Sequence, residues 1–311
     1  MYDLIGDIHG CAETLAALLE RLGYPQRDGV HAHPARRVIF LVDFIDRGLL
    51  QREVIDIVRP MIKSGRVLAV MGNHEFNAIA YATPRADGGG HLRPHDEKNR
   101  RQHAAFLDAW AEDPAGYREL IDWFRTLPLW LDLGRLRVVH ACWDTNFIER
   151  IARTQAGEAA LSDELLRDAS TPGHWAFEAV ETLLKGREIP LPPGHAFHDK
   201  DGNLRHRIRV RWWDRDVDTY RGAFLGPPAA LTHIPDDPIE GDHLIEYPAD
   251  APPLFIGHYW MEGRPAPLAP NIACLDYSVA RPGGHLVAYR WDGEESLDRT
   301  RFVVQRRLEA D

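Results

Sequence analysis

Five short stretches of the chain combine oxygen and imidazole side chains in a pattern suited to binding cations. They are GDIHG (Asp7, His9), VDFIDRG (Asp43, Asp46, Arg47), GNHE (Asn73, His74), VVHAC (His140) and IGHYW (His258). Each directly follows or ends an apolar run. Taken singly, each has an ordinary explanation: an aspartate after a strand caps the next helix, and a lone histidine is most often a hydrogen-bonded core residue. Taken together they gather many polar groups at successive strand ends, where burial is costly unless something binds them. Carboxylate, carboxamide and imidazole donors without thiolate select hard or borderline divalent cations such as Mn²⁺, Fe or Zn²⁺.

The elements that must position these residues follow from apolar spacing. Tyr2–Ile5 reads as a buried strand, and Leu15, Leu18, Leu19 and Leu22 then fall on one helical face that Gly23 closes. Val38–Leu41 is the next strand. Val54, Ile57, Val58, Met61 and Ile62 mark a second helix, with Pro60 expected to kink or end it, and Val67–Met71 makes a third strand. This alternation predicts a layered α/β domain with right-handed connections. Asp7 to Asp43 spans 36 positions and Asp43 to Asn73 spans 30, each close to one strand–helix–strand step. In open α/β sheets, ligands collect beyond the carboxyl ends of the strands.

Further on, residues 84–101 read as a mobile polar loop, with helices expected over 102–111 and 116–127. LWLDLGRLRVVHAC reads as two strands about the turn at Leu133–Arg135; RIRVRWW, PLFIGHYW, IACLDYSV and HLVAYRW are also strand-like. Helical patterning fills 145–194, and no repeat or linker divides the chain, so a single domain over 1–311 with a helical insertion near 145–194 is expected.

Composition narrows the function classes. The formal charge of −10 argues against broad binding to nucleic-acid backbones. No apolar run approaches the ~20 residues of a membrane span, and MYDLIGDIHG lacks a secretory layout. Three scattered cysteines, Cys11, Cys142 and Cys274, make neither a disulfide framework nor a zinc ribbon, as expected of a reduced, cytoplasmic protein.

The ordered set GDxHG, GDxxDRG, GNHE, His and Gly-His resembles the calcineurin-like metallophosphoesterases, specifically the phosphoprotein phosphatase branch. The resemblance runs from Asp7 to His258 and on to the last strands. It implies a four-layer α/β/β/α sandwich of two mixed sheets with flanking helices and the cations at one edge. It implies two divalent ions, manganese first, with iron, zinc or magnesium as alternatives. Asp7 and His9 would hold one ion, Asp43 would bridge, and Asn73, His140 and His258 would complete the second. Asp46 would orient His74 as the proton donor, while Arg47 and Asn73 would meet the substrate phosphate. A second phosphate-binding arginine is expected in RWWDRDVDTYRGAF, which assigns it to Arg221, with Arg211 as the alternative because Arg207, Arg209 and Arg211 alternate onto one strand face. A solvated sheet face explains that stripe equally well.

The implied activity is hydrolysis of phosphate monoesters by water activated between the ions, extending to phosphoserine and phosphothreonine proteins. The alternative is hydrolysis of dinucleoside polyphosphates such as diadenosine tetraphosphate. A non-catalytic metal-containing binding module ranks below both, because His74 and Asp46 are present. The expected partner is a phosphorylated small molecule, nucleotide or phosphoprotein rather than a membrane; the oligomeric state is left open.

Three positions depart from the pattern. Leu49 and Ala141 replace the usual proline and glycine, and Val42 stands where the family has glycine before the bridging aspartate. Valine enters a β-strand readily. Three readings therefore follow for Val42: packing adjusted around it, Asp43 displaced with one ion weakened, or activity deliberately lowered.

Overall fold

A computed structural model describes residues 1–155, 157, 161–198, 202–239, 245 and 247–311. Two sheets organise it. The larger runs in the order Asp276–Tyr277, His285–Trp291, Tyr2–Ile5, Arg37–Phe40 and Leu68–Ala69, with Phe302–Arg306 also paired to His285–Trp291. The smaller runs Ile272–Cys274, Leu254–Ile256, Arg137–Val139 and Trp130–Asp132. Tyr2–Ile5, Arg37–Phe40 and Leu68–Ala69 lie parallel, with Leu4 beside Ile39 and Phe40 beside Ala69. In the second sheet Arg137–Val139, Leu254–Ile256 and Ile272–Cys274 are parallel as well.

Alternation along the strands sorts their side chains into layers. Leu4, Ile39, Val138, Phe255, Ala273, Val287 and Tyr289 share one buried cluster between the sheets. Their neighbours Ile5, Val38, Phe40, Val139, Leu254 and Ile256 join a second, larger cluster with the helices. The result is an α/β sandwich with helices outside two sheets. Helix Ala12–Leu22 buries Leu15, Leu18, Leu19 and Leu22 as their spacing requires, and Gly23 ends it at φ 87°. No helix among the described residues is long and apolar enough to cross a membrane.

Several expectations need correction. Helix Gln51–Lys63 runs through Pro60, which therefore neither ends it nor starts a new element. The stretch over 84–101 is ordered by a Pro84–His91 bridge and by ring stacking of His95 on Tyr81 and His91, and helix Glu97–Gln102 begins within it. The helix expected over 102–111 is broken at His103, whose φ and ψ of −110° and 7° separate Glu97–Gln102 from Ala104–Ala109. IACLDYSV is not one strand: Ile272–Cys274 and Asp276–Tyr277 belong to different sheets. RIRVRWW contributes only Arg207–Arg209, paired with Glu188–Pro190 in a small separate sheet. The region 145–194 holds helices Thr145–Thr154, Asp163–Ala169 and Trp175–Lys185.

Candidate metal centre and active site

Five parallel strands end at one edge of the sandwich, and each delivers the polar residues that follow it. Tyr2–Ile5 leads to Asp7 and His9, Arg37–Phe40 to Asp43, Leu68–Ala69 to Asn73, Arg137–Val139 to His140, and Leu254–Ile256 to His258. All six side chains are buried. Asp43 lies at the middle: its Oδ2 is 3.7 Å from His9 Nε2 and 3.4 Å from His140 Nε2. Asn73 Oδ1 is 2.8 Å from His258 Nδ1 and 3.2 Å from His140 Nε2. Asp43, His140 and His258 form one candidate cation group, and His9, Asp43 and His74 form another. Asp7 belongs to neither, but its Oδ2 accepts the His258 backbone N–H at 3.0 Å.

Backbone contacts set the ring orientations. His9 Nδ1 faces the Ile45 carbonyl at 3.0 Å, and His140 Nδ1 faces the Leu41 carbonyl at 2.8 Å. When each donates there, Nε2 of both rings carries a lone pair toward Asp43. Two glycines allow the close packing. A Cβ on Gly72 would lie 1.8 Å from the Val42 carbonyl oxygen, and one on Gly257 would lie 2.4 Å from Asp7 Oδ1.

The donors fit two divalent cations. Asp7 Oδ1 and His9 Nε2 are buried without a hydrogen-bond partner, which is costly unless a cation takes their lone pairs. Electrostatics agree. Burial and then the charges of Asp276 and Asp43 push Asp7 well above the usual carboxylate range. Burial also opposes ionisation of Asp43, yet His140 and His74 outweigh it and hold Asp43 low. His140 is raised to about 10 because Asp43 and Asp7 overcome its burial. His9 is lowered to about 3, by burial first and then by Arg47. A buried group of carboxylates and imidazoles with such opposed demands is what cations neutralise.

Beside these ligands, His74 Nδ1 meets Asp46 Oδ2 at 2.5 Å, and its Nε2 points to Asp43 Oδ2 at 3.9 Å. Arg47 is exposed, lies 3.8 Å from the centroid of the Trp260 ring, and approaches His74 Nε2 to 3.5 Å. The structure engages Arg221 elsewhere: Nε donates to the Ile234 carbonyl at 3.0 Å and Nη1 pairs with Asp236 at 3.2 Å on the exposed surface. Arg211 bonds the Gly222 carbonyl and lies 3.5 Å from Asp214. It is Arg209, from the same stripe, whose charge bears on the centre. After burial it is the largest influence lowering His258.

Val42 overturns the expectation that valine simply continues the strand. Its φ is 28°, in the left-handed region where a β-branched residue is an outlier. His9, Asp46, Arg47, His258 and Trp260 also have positive φ. Strain concentrated at one edge is typical of functional sites.

A family model described as calcineurin-like phosphoesterase matches residues 2–219. The chain belongs to this family. A bis(5′-nucleosyl)-tetraphosphatase (asymmetrical) from Bacillus subtilis (strain 168) is 45% identical over 74 residues, 24% of this chain and 30% of the relative. The chain thus spans about 30% of the length of the first curated relatives it matches. A bis(5′-nucleosyl)-tetraphosphatase, symmetrical, from Actinobacillus pleuropneumoniae serotype 5b is 25% identical over 316 residues, covering 96% of this chain and 98% of that one. A solved protein serine/threonine phosphatase from Saccharomyces cerevisiae superposes with a TM-score of 0.51 at 14% identity, covering 99% and 80% of the two chains, which is likeness of fold alone.

Two residues near the centre escape sequence reasoning. His103 bonds Asp46 at 2.8 Å across 57 positions of sequence. Trp260, in the loop after Leu254–Ile256, stacks against Arg47. His103 belongs to no spaced motif, and Trp260 closes IGHYW without a signal that ties it to Arg47, so only the folded chain brings them in.

Proposed function

We propose that this chain hydrolyses dinucleoside polyphosphates at a P–O–P bond, using two divalent cations, with manganese the expected pair. The observation that carries the substrate class is a cavity of about 810 Å³ walled by Arg209, whose charge reaches His258, and by Gly186, packed on Tyr259. Seven lysine and arginine side chains line it against three glutamates, in a chain with a formal charge of −10. Such a local excess of cations suits a run of phosphates. The printed names of the relatives, nucleosyl tetraphosphatases, support the same reading.

Asp7, His9 and Asp43 would hold one cation; Asp43, Asn73, His140 and His258 would hold the other. When bound, the pair neutralises phosphate oxygens and makes a water acidic enough to ionise near neutral pH. The protein side chains do the rest. Arg47 offers its planar fork to the attacked phosphate, held flat by Trp260. Arg209 grips a second phosphate. His74, oriented through Nδ1 by Asp46, presents Nε2 to the departing oxygen as a proton donor.

That donor pair favours a second reading, hydrolysis of phosphate monoesters including phosphoserine and phosphothreonine. A departing alkoxide needs a proton more than a departing phosphate does. Steady-state kinetics with Mn²⁺-loaded protein separate the two. We expect kcat/KM for diadenosine tetraphosphate to exceed that for p-nitrophenyl phosphate by at least about a hundredfold. We also expect Arg209→Ala to remove roughly tenfold or more from the dinucleotide alone, the worth of one charge-assisted hydrogen bond. A preference for the monoester, or an equal loss on both substrates, would overturn the dinucleotide reading.

A further inference from the structure

Asp46 is gripped from two sides. Its Oδ2 meets His74 Nδ1, and its Oδ1 meets His103 Nδ1 at 2.8 Å. Burial opposes charge on Asp46, yet the hydrogen bonds from His103 and His74 outweigh it. His103 is itself buried, with its ring 4.8 Å from Phe106 and 5.5 Å from Tyr81. Its Nε2 is buried with no hydrogen-bond partner. If the imidazole served only to fill space, an apolar ring would fill it without leaving a buried nitrogen unpaired.

The backbone also bends to put it there. Helical patterning runs on from Glu97 past Ala104, but the chain leaves the helix at His103 alone and resumes at the next residue. The His103 N–H still bonds back to the Asn99 and Arg100 carbonyls at 3.1 Å, and its own carbonyl receives Leu107 N–H at 3.0 Å. No backbone hydrogen bond is gained by the break. What it secures is the angle from which Nδ1 reaches Asp46.

We propose that His103 is a positioning residue for proton delivery: by holding Oδ1 of Asp46, it fixes the carboxylate that aims His74 at the departing oxygen. The inference rests on the reading of His74 as the proton donor. A carboxylate held by one hydrogen bond swings about its Cβ–Cγ bond, whereas one held at both oxygens does not. A ring misdirected by a fraction of an ångström to an ångström forfeits much of what general-acid catalysis supplies, about a hundredfold to ten-thousandfold in total.

The test compares two leaving groups on the Mn²⁺-loaded full chain. Phenol, with a pKa near 10 like the tyrosine hydroxyl, leaves poorly without a proton, and p-nitrophenol leaves well without one. His103→Leu should lower kcat on phenyl phosphate by about tenfold to a hundredfold and change it little on p-nitrophenyl phosphate, with metal content intact. His103→Asn, whose amide N–H stands in for Nδ1–H, should recover most of the loss. Equal losses on both esters, or no loss on either, would overturn the proposal. If the leucine variant does not fold, His103→Asn against His103→Ala makes the same comparison, because only the asparagine can donate to Asp46. His74→Asn is measured alongside. If that variant shows no leaving-group dependence, the assignment of His74 fails; if it does and the His103 variants do not, the failure belongs to His103.

Discussion

Val42 gives the sharpest test of the backbone at this centre. The residue is fully buried, and its φ of 28° places a β-branched side chain in left-handed space. Two substitutions separate the terms. Val42→Ala removes two buried methyl groups and Val42→Gly the whole isopropyl side chain, so glycine loses about 0.8 kcal/mol more burial. They also differ in backbone. Alanine keeps a Cβ and with it a left-handed penalty of about 1–2 kcal/mol. Glycine escapes that penalty but loses about 0.5–1 kcal/mol through the greater freedom of its unfolded chain. At an ordinary strand position alanine would therefore lead glycine by about 1.3–1.8 kcal/mol. Here the left-handed penalty should cancel that lead and leave the two within about 0.8 kcal/mol of each other. Urea unfolding reads the difference through the midpoints, and calorimetry should place the two variants within about 2 °C. Alanine leading glycine by about 1.3 kcal/mol or more would refute the strained backbone.

The remaining predictions concern the centre and its rim. Asp43→Asn removes the carboxylate shared by both candidate cation groups; elemental analysis should find fewer than two ions per chain, and activity should fall by more than the ~100-fold typical of supporting residues. Gly257→Ala would push a methyl to within 2.4 Å of Asp7 Oδ1, and metal titration should show affinity weakened about tenfold or more while the fold survives. Trp260→Leu takes away the ring under Arg47; a cation–π contact of about 0.5–1 kcal/mol makes KM rise roughly threefold to fivefold with kcat nearly constant. Arg221→Ala disturbs an exposed pair with Asp236 and a bond to the Ile234 carbonyl, so KM for a dinucleotide should change less than it does in Arg209→Ala.

How much of this was legible depends on distance along the chain. The first three strands, their helices and the order of ligand clusters could be read because each is set by neighbours within a few residues: apolar spacing, a closing glycine, polar residues at a strand end. The region around Arg209 could not. Its strand pairs with Glu188–Pro190 in a sheet apart from the main two, and nothing in RIRVR states which arginine of an alternating stripe has the charge that bears on His258. The partners of Arg221 were illegible for a related reason. A motif carries residue types and spacing, whereas the side chain follows local partners, here Ile234 and Asp236. His103 is the extreme case, because helical propensity predicts the conformation that its contact with Asp46 forbids.

On the proposed function, substrate choice would follow from a division of labour between two parts of the chain. The strand ends contribute candidate ligands whose placement is over-determined: His9, Val42, Asp46, Arg47 and His258 hold positive φ, and Gly72 and Gly257 leave no room for a Cβ. Such a frame would change little without losing the proposed cations. The charged residues of the cavity wall, unlike Gly186 beside them, carry no such constraint. Arg205, Arg207 and Arg209 share Glu188 as a partner, and Lys185 pairs with Glu181, at partly exposed positions. Exchanging a charge there alters which phosphate chain fits and leaves the ligands untouched. Selectivity between one phosphate and several should therefore track the residues from Glu181 to Arg209, while catalytic competence tracks the strand ends from Asp7 to His258.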